Sequence, residues 1–300
     1  MTRVQANLLL LLAGAIWGAG FIAQSTAMKS LGPVWFIGLR FAVATLVALP
    51  FALWEKARAT SPLRRSDLAG FVLTGIALFA AAAFQQVGLL TTTVTNSGFL
   101  TGLYVVFTPI LTVLVLRRRP HWIVWPAAFT ASFGIFLLSG GTLAALTLGD
   151  MLTIFCAVLW SVQMICVGVF SGRSGRPLAL SLVQFFVCAV VGCGAGLLFE
   201  PVSLAAISGA LPEILYAGLF SSGVAFIFQN VAQRYTTAPQ AAIFLSSEAL
   251  FAALFGVLLL GETISPPGYA GCAIIFLAML AVELVPELLR PRRAVTPVEA

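Results

Sequence analysis

Apolar runs recur ten times along the chain, near 5–27, 33–54, 67–89, 94–116, 122–140, 149–171, 177–199, 211–233, 238–260 and 265–286, with only short polar connections between them. Each run is long enough to cross a bilayer as a helix, which takes about 20 predominantly apolar residues. A second pattern overlies the first. At an offset of 144 positions Pro33 meets Pro177, Phe41 meets Phe185, Phe84-Gln85 meets Phe228-Gln229 and Thr92-Thr93 meets Thr236-Thr237; Trp17 meets Trp160 one position short of that offset. Five crossings per copy is an odd number, so the second copy must traverse the membrane in the opposite sense to the first. The expected architecture is an all-α polytopic membrane protein of ten transmembrane helices, built as two inverted five-helix repeats. The first repeat is expected over 1–144, the second over 145–290, and a cytoplasmic tail over 291–300. Inverted duplication of this kind is a signature of transporters.

Composition agrees with that pattern. Mean hydropathy is +1.06 and only 9% of residues are charged, whereas a soluble domain carries roughly a quarter. No stretch is left over for a soluble domain, so function must reside in the helix bundle. The net charge of +6 does not point to nucleic acid, because the basic residues sit in short loops rather than along one face. If the N-terminus is cytoplasmic, all but Lys29 and Arg40 of the 16 Lys and Arg residues fall at cytoplasmic ends. The positive-inside rule then predicts cytoplasmic N- and C-termini. Arg3 before an apolar run resembles the start of a signal peptide, but that run continues to about Ala27, and its removal would break the repeat. The five cysteines lie in predicted spans without metal-ligand spacing and are expected to pack as small apolar residues. His121 is expected to be interfacial. No metal or cofactor is implied.

Polar residues within the spans carry the candidate chemistry, since each needs a partner or a water-filled cavity. Glu248 stands near the middle of the ninth span, where a charge costs about 2.5–3.5 kcal/mol on insertion scales. It either locks two helices through hydrogen bonds or faces a cavity, contacting substrate or carrying a coupling proton. Arg40 lies about 10 Å into the second span at helical rise; it either snorkels to the surface or faces the bundle, where it could bind a carboxylate. Trp17 and Trp160 sit near mid-span, as packing residues or as two related cavity walls. Trp35, Trp54, Trp122 and Trp125 fall near helix ends, where aromatic belts are expected. Ser97, Thr101, Tyr104 and Thr108 share one helical face, directed either to a cavity or to their own backbone carbonyls. Pro109 predicts a kink. Gln85 and Gln86 mirror Gln229 and Asn230, and Gln163 lies one turn beyond Trp160. Gly14 with Gly18, and Gly192 with Gly196, permit close helix contact.

The stretch Ala15-Ile16-Trp17-Gly18, the Ala-rich segment leading to Glu248, and Leu260-Gly261-Glu262 with Ser265 and Gly268 resemble the drug/metabolite transporter superfamily, specifically its ten-helix EamA-type exporters. The chain departs from that pattern at Ala249, where a proline often follows the Glu, and at Arg117-Arg118-Arg119. The resemblance implies a central cavity lined mainly by spans 1, 3, 4, 6, 8 and 9, with alternating access and efflux of small metabolites. Within the family the chain is similar to amino-acid exporters, including those for aromatic amino acids. Phe79, Phe244 and Ser247 join Trp17, Gln85, Ser97, Thr101, Tyr104, Trp160, Gln163 and Glu248 as expected substrate contacts. The implied partners are a small-molecule substrate, amino acids or similar metabolites, and membrane lipid, with the monomer sufficient for function. Efflux of other apolar or cationic compounds is the alternative. An intramembrane enzyme lacks a nucleophile, base or metal constellation here, and a structural subunit would not need inverted duplication with polar residues at depth.

Overall fold

The computed structural model describes residues 1–92, 94–138, 147–260 and 263–289. Thr93, Gly261-Glu262, the junction between the repeats at 144/145 and the 291–300 tail lie outside the described residues. Among the described residues ten helical elements follow the expected spans within a few residues, with a short extra helix at Leu204–Gly209: α1 Arg3–Ala27, α2 Pro33–Ala57, α3 Arg65–Gly88, α4 in two pieces Val94–Gly102 and Tyr104–Leu116, and α5 Val124–Leu138. They continue with α6 Leu148–Ser174, α7 Pro177–Phe199, α8 from Leu211 to Ala232, α9 in two pieces Ala238–Leu245 and Ser247–Leu260, and α10 Pro266–Leu288. Among the described residues, nine helices are long and apolar enough to cross a membrane, and Val124–Leu137 is a shorter apolar helix. Outward faces are apolar, with Leu46, Leu114, Leu197 and Phe199 all more than two-thirds exposed. A soluble surface would not carry so continuous an apolar coat; the chain is a multi-pass membrane protein.

Local chemistry explains where helices begin and end. Thr2 with Gln5 and Thr147 with Asp150 form capping boxes at the starts of α1 and α6, supplying acceptors to N–H groups that have no partner within the helix. Pro33 and Pro177 open α2 and α7, where a missing N–H costs nothing. Gly175 closes α6 with φ of 67°, a left-handed conformation that glycine adopts without strain.

Helix contacts obey the inverted repeat. The most extensive is between α2 and α7, which are each other's counterparts. The α3–α6 contact recurs as α8–α1, and α4–α6 recurs as α9–α1. Along α2 and α7, Gly38 and Gly192 bring the backbones together; a Cβ on Gly192 would lie 2.7 Å from the Gly38 Cα. Phe41 and Phe185, matched in the repeat, meet with ring centroids 5.9 Å apart. Gly196 lies against the ring of Trp35. Trp35 is therefore not a belt residue: it is 8% exposed and donates from Nε1 to the Glu200 carbonyl at 3.1 Å. By contrast Trp54 and Trp122 are more than half exposed.

Each of these two helices ends in a carboxylate that caps the other. Glu200, just beyond α7, accepts from the N–H groups of Val34 and Trp35, both at 3.0 Å. Glu55, near the end of α2, accepts from Leu178 N at 3.1 Å and Ala179 N at 2.9 Å and pairs with Arg176 at 3.3 Å. Negative charge at a helix N-terminus is favourable through the unsatisfied N–H groups and the helix dipole. The α2–α7 pair is thereby fastened at both ends. Glu55→Ala and Glu200→Ala are each expected to destabilise the protein by about 1–2 kcal/mol. The caps lie at opposite ends of the bundle, so the losses should add in the double variant. Thermal unfolding of the detergent-solubilised protein measures both; a double variant no less stable than either single one would contradict independent fastening.

Candidate functional site

The two interrupted helices define the centre of the bundle. α4 breaks at Leu103 and α9 at Ser246, positions that match in the repeat at the same offset as Trp17 and Trp160. At both breaks the backbone tightens to i→i+3 bonds: Val106 N to Leu103 O at 2.9 Å and Ala249 N to Ser246 O at 3.2 Å. The kink expected at Pro109 is thus displaced. Pro109 lies inside the second piece of α4, and the α9 break occurs with no proline after it, so proline does not explain the pair. Broken helices free backbone groups and are tolerated at membrane depth where they line a cavity.

The breaks set two side chains face to face. Tyr104 directly follows one and Glu248 lies two residues beyond the other; the tyrosine hydroxyl donates to Glu248 Oε1 at 3.2 Å. These residues are repeat counterparts, 144 positions apart, so the chemically unlike pair meets across the symmetry relation. The close contact expected at Gly14 and Gly18 is made with the segment of α9 that carries Glu248. A Cβ on Gly14 would collide with Ser247 Oγ, and one on Gly18 would lie 2.7 Å from Ala252 N and 2.8 Å from the Glu248 carbonyl oxygen. α1 and the carboxylate-bearing turn of α9 are in backbone contact.

A cavity opens among α1, α2, α3, α4, α6, α8 and α9. Tyr104, Thr101, Gln85, Trp17, Trp160, Glu248 and Arg40 line it. Phe79, Ser97, Gln163, Phe244 and Ser247 are not among its lining residues. Phe79 packs on the α2–α7 core, Phe244 joins the core beside α4, and Ser97, Gln163 and Ser247 are buried. Thr108 is turned to its own helix, donating to the Tyr104 carbonyl at 2.6 Å, and also meets Ser161 at 3.1 Å. Lining residues absent from the sequence expectations are Phe21, Gln24, Met164, Ser221, Phe226 and Leu245. For two of these a signal existed: Trp17, Phe21 and Gln24 are spaced i, i+4, i+7 on one face of α1.

Phe226 had none. It sits after a π-helical stretch, Ala217–Val224, that interrupts α8, whereas its counterpart α3 is unbroken. Extra-wide turns of this kind occur often at functional sites. Here the stretch presents the Ser221 carbonyl to Trp17 Nε1 at 2.8 Å. Phe226, whose counterpart is Ala82, joins the matched tryptophans: its centroid is 4.8 Å from Trp17 and 5.6 Å from Trp160, stacked on the latter. One wall of the cavity is a continuous aromatic surface.

Amides cluster towards both ends. Alternation of the crossings places Arg3, Arg117 and Arg234 at one end of the bundle, here called the basic end. Towards it, Gln229 donates to Gln163 at 3.3 Å and Gln233 at 3.1 Å, Gln163 to Gln184 at 3.3 Å, Gln233 to the Met164 carbonyl at 3.0 Å, and Asn230 to Ser181 at 2.8 Å. Towards the opposite end, Gln85 donates to Thr101 at 3.1 Å, Gln86 to the Gln24 carbonyl at 3.3 Å, and Arg40 to Gln24 Oε1 at 3.1 Å. Arg40 does not snorkel: it is 3% exposed and lines the cavity. Among the described residues the ion pairs are Arg3–Glu283, Arg173–Asp67 and Arg176–Glu55, so Glu248 and Arg40 face one cavity with neither in an ion pair.

The profile of the EamA-like transporter family matches residues 4–140 and 147–284, one match for each half. An uncharacterized transporter of Archaeoglobus fulgidus is 33% identical over 94% of this chain and 87% of its own length. The uncharacterized transporter YwfM of Bacillus subtilis is 27% identical, covering 94% of both chains. The uncharacterized inner membrane transporter YedA of Escherichia coli is 24% identical over 94% of this chain and 92% of its own length. A solved crystal structure superposes with a TM-score of 0.80 over 97% of this chain and 100% of the other at 18% identity, a likeness of fold.

Close approach of α1 to α9 can be tested without a substrate. Gly18→Ala is expected to cost about 1–3 kcal/mol by overpacking against the α9 backbone. Gly194→Ala, where an added Cβ meets nothing within 4 Å, should leave stability unchanged or raise it by up to about 1 kcal/mol, since Ala is the better helix former. Equal melting temperatures of the two variants in detergent would show that α1 is not clamped at this point.

Proposed function

The chain belongs to the EamA-like transporter family, and from that membership we propose that it exports amino acids, aromatic ones among them, by alternating access through the central cavity. The observation that carries the reading is one cavity holding an unpaired carboxylate, Glu248, and an unpaired guanidinium, Arg40, beside an aromatic wall of Trp17, Phe226 and Trp160. A zwitterion with an apolar side chain complements such a lining in each of its parts. Mostly apolar walls with a few placed polar groups are the usual make-up of small-molecule sites. Phosphorylated solutes would call for several cations at depth, and the cavity has one. Export of apolar cations draws support from Glu248 and the aromatic wall, but Arg40 in the same cavity opposes it.

Alternating access follows from the two halves. The inverted repeats supply two related ways of closing the bundle, one amide cluster at each end, with the broken helices α4 and α9 as bending points. The basic end is assigned to the cytoplasm by the positive-inside rule, which puts both termini there and directs transport from the Gln229 end to the Arg40 end. The monomer contains both halves and is sufficient. The carboxylate of Glu248 is the group that meets the substrate ammonium or carries a coupling proton.

In proteoliposomes, Glu248→Gln is expected to reduce amino-acid flux by about tenfold or more, as for loss of a charge-assisted contact, while the melting temperature holds. Unchanged flux would reduce Glu248 to a helix-packing residue. Trp17→Ala and Trp160→Ala should each lower flux of aromatic relative to aliphatic amino acids. A panel in which that ratio is the same before and after substitution would remove the aromatic wall from the site.

A further inference from the structure

Arg40 is held in a way that its packing role does not account for. Its guanidinium carbon lies 5.4 Å from the Phe36 ring centroid and 5.1 Å from that of Phe41, so cation–π contacts fix the plane of the group. One nitrogen, Nη1, donates to Gln24 Oε1 at 3.1 Å, and Gln24 is itself tied down where its backbone carbonyl accepts from Gln86 Nε2. The Nε edge is buried and donates to nothing. No carboxylate stands within ion-pair distance among the described residues. A buried charge without a partner is strongly unfavourable, and aromatic faces with one neutral amide offset only part of that.

The repeat shows that the fold does not require this charge. At the corresponding position of α7 stands Gln184, which is fully buried, hydrogen-bonded to Gln163, and absent from the cavity lining. A neutral amide serves that site; only the α2 copy carries a cation, and only that copy faces the cavity.

Building on the amino-acid reading above, we infer that Arg40, positioned by Gln24, is the subsite for the substrate's carboxylate at the end of the cavity away from the basic loops, with the ammonium group directed to Glu248. The planar fork of a guanidinium matches a carboxylate in two parallel hydrogen bonds; Nη1 is held by Gln24, and Nε, enclosed and without a partner in this conformation, must turn toward the cavity to complete the fork. Phe36 and Phe41 set its orientation before substrate arrives. The substrate then lies with its carboxylate towards Gln24, its side chain against Trp17, Phe226 and Trp160, and its amine towards Glu248 and Tyr104. Specificity for free α-carboxylates, as opposed to amines or amino-acid amides, resides at Arg40.

The test compares L-phenylalanine, L-phenylalaninamide and phenethylamine on the purified full-length protein in proteoliposomes, with Arg40→Gln and Arg40→Lys. The unmodified protein should favour phenylalanine over both analogues by about tenfold or more, the scale on which sites built to bond a polar group reject ligands lacking it. Arg40→Gln should bring the acid-to-amide ratio near one. Arg40→Lys, which keeps the charge and loses the fork, should fall between. If Arg40→Gln does not fold, thermal stabilisation of the unmodified protein decides: phenylalanine must stabilise it and the two analogues must not. Transport of phenylalanine with the same acid-to-amide ratio before and after substitution would overturn the subsite and leave the amino-acid reading standing. Absence of flux for every amino acid would overturn that reading and the subsite with it. A parallel arm replaces chloride by gluconate; chloride that stabilises the protein through Arg40 and competes with phenylalanine would assign the site to an inorganic anion instead.

Discussion

Water is missing from the interior of a bilayer, and every polar group placed there must be satisfied by the protein itself. Most of this structure can be read as compliance with that condition. Hydroxyls of Thr74, Thr112, Thr153 and Ser181 return to carbonyls four residues back. The ends of α2 and α7 satisfy each other's N–H groups through Glu55 and Glu200. Compliance is incomplete around the cavity and its flanking amide clusters, where the Arg40 Nε, the Gln184 Nε2, the Gln229 Oε1 and the Asn230 Oδ1 are left without partners. Buried atoms elsewhere, among them Asn7 Oδ1, Ser132 Oγ and Glu213 Oε2, are also left without partners, but those beside the cavity are the ones that a polar solute would meet.

The inverted duplication organises that exception. Self-related contacts, α2 with α7 and α5 with α10, join the two halves. Cross-related contacts of α1 with α9 and of α4 with α6 carry the broken helices. A scaffold with this exchange symmetry has related packing at its two ends, which is what the proposed alternating access would draw on. Departures from symmetry then acquire meaning. Tyr104 opposes Glu248, Arg40 opposes Gln184, and Phe226 opposes Ala82; in each pair the two members differ in charge or bulk, and each pair has a member on the cavity wall. Symmetry supports the frame, and its violations supply the chemistry.

Several residues that line the cavity were legible from the order of amino acids alone. Glu248, Arg40, Trp17, Trp160 and Tyr104 stand out because a bilayer admits so few charges and mid-span tryptophans that each implies a protein-facing position. The Gln24 position was equally readable, one face along from Trp17. Phe226 was not, because phenylalanine is as much at home facing lipid as facing a cavity, and a π-helical stretch rotates the residues after it off the periodicity by which a sequence is read. Ser97, Gln163 and Ser247 show the converse: a polar side chain at depth must be buried in the protein, but periodicity does not say whether it faces a neighbouring helix or the cavity.

The sequence by itself determined the number of spans, their ends, their alternation and the pairing of the two halves, since all of these follow from length, hydropathy and register along one dimension. Only the tertiary structure decided which helix faces touch. It brought Tyr104 to Glu248, set Gly14 and Gly18 against the α9 backbone, turned Trp35 inward from its helix end, and left Arg40 facing a cavity with no counter-charge among the described residues. Those outcomes depend on helix rotation and on gaps as small as a missing Cβ, and in a membrane rotation is fixed by packing between helices. Hydropathy alone cannot encode it.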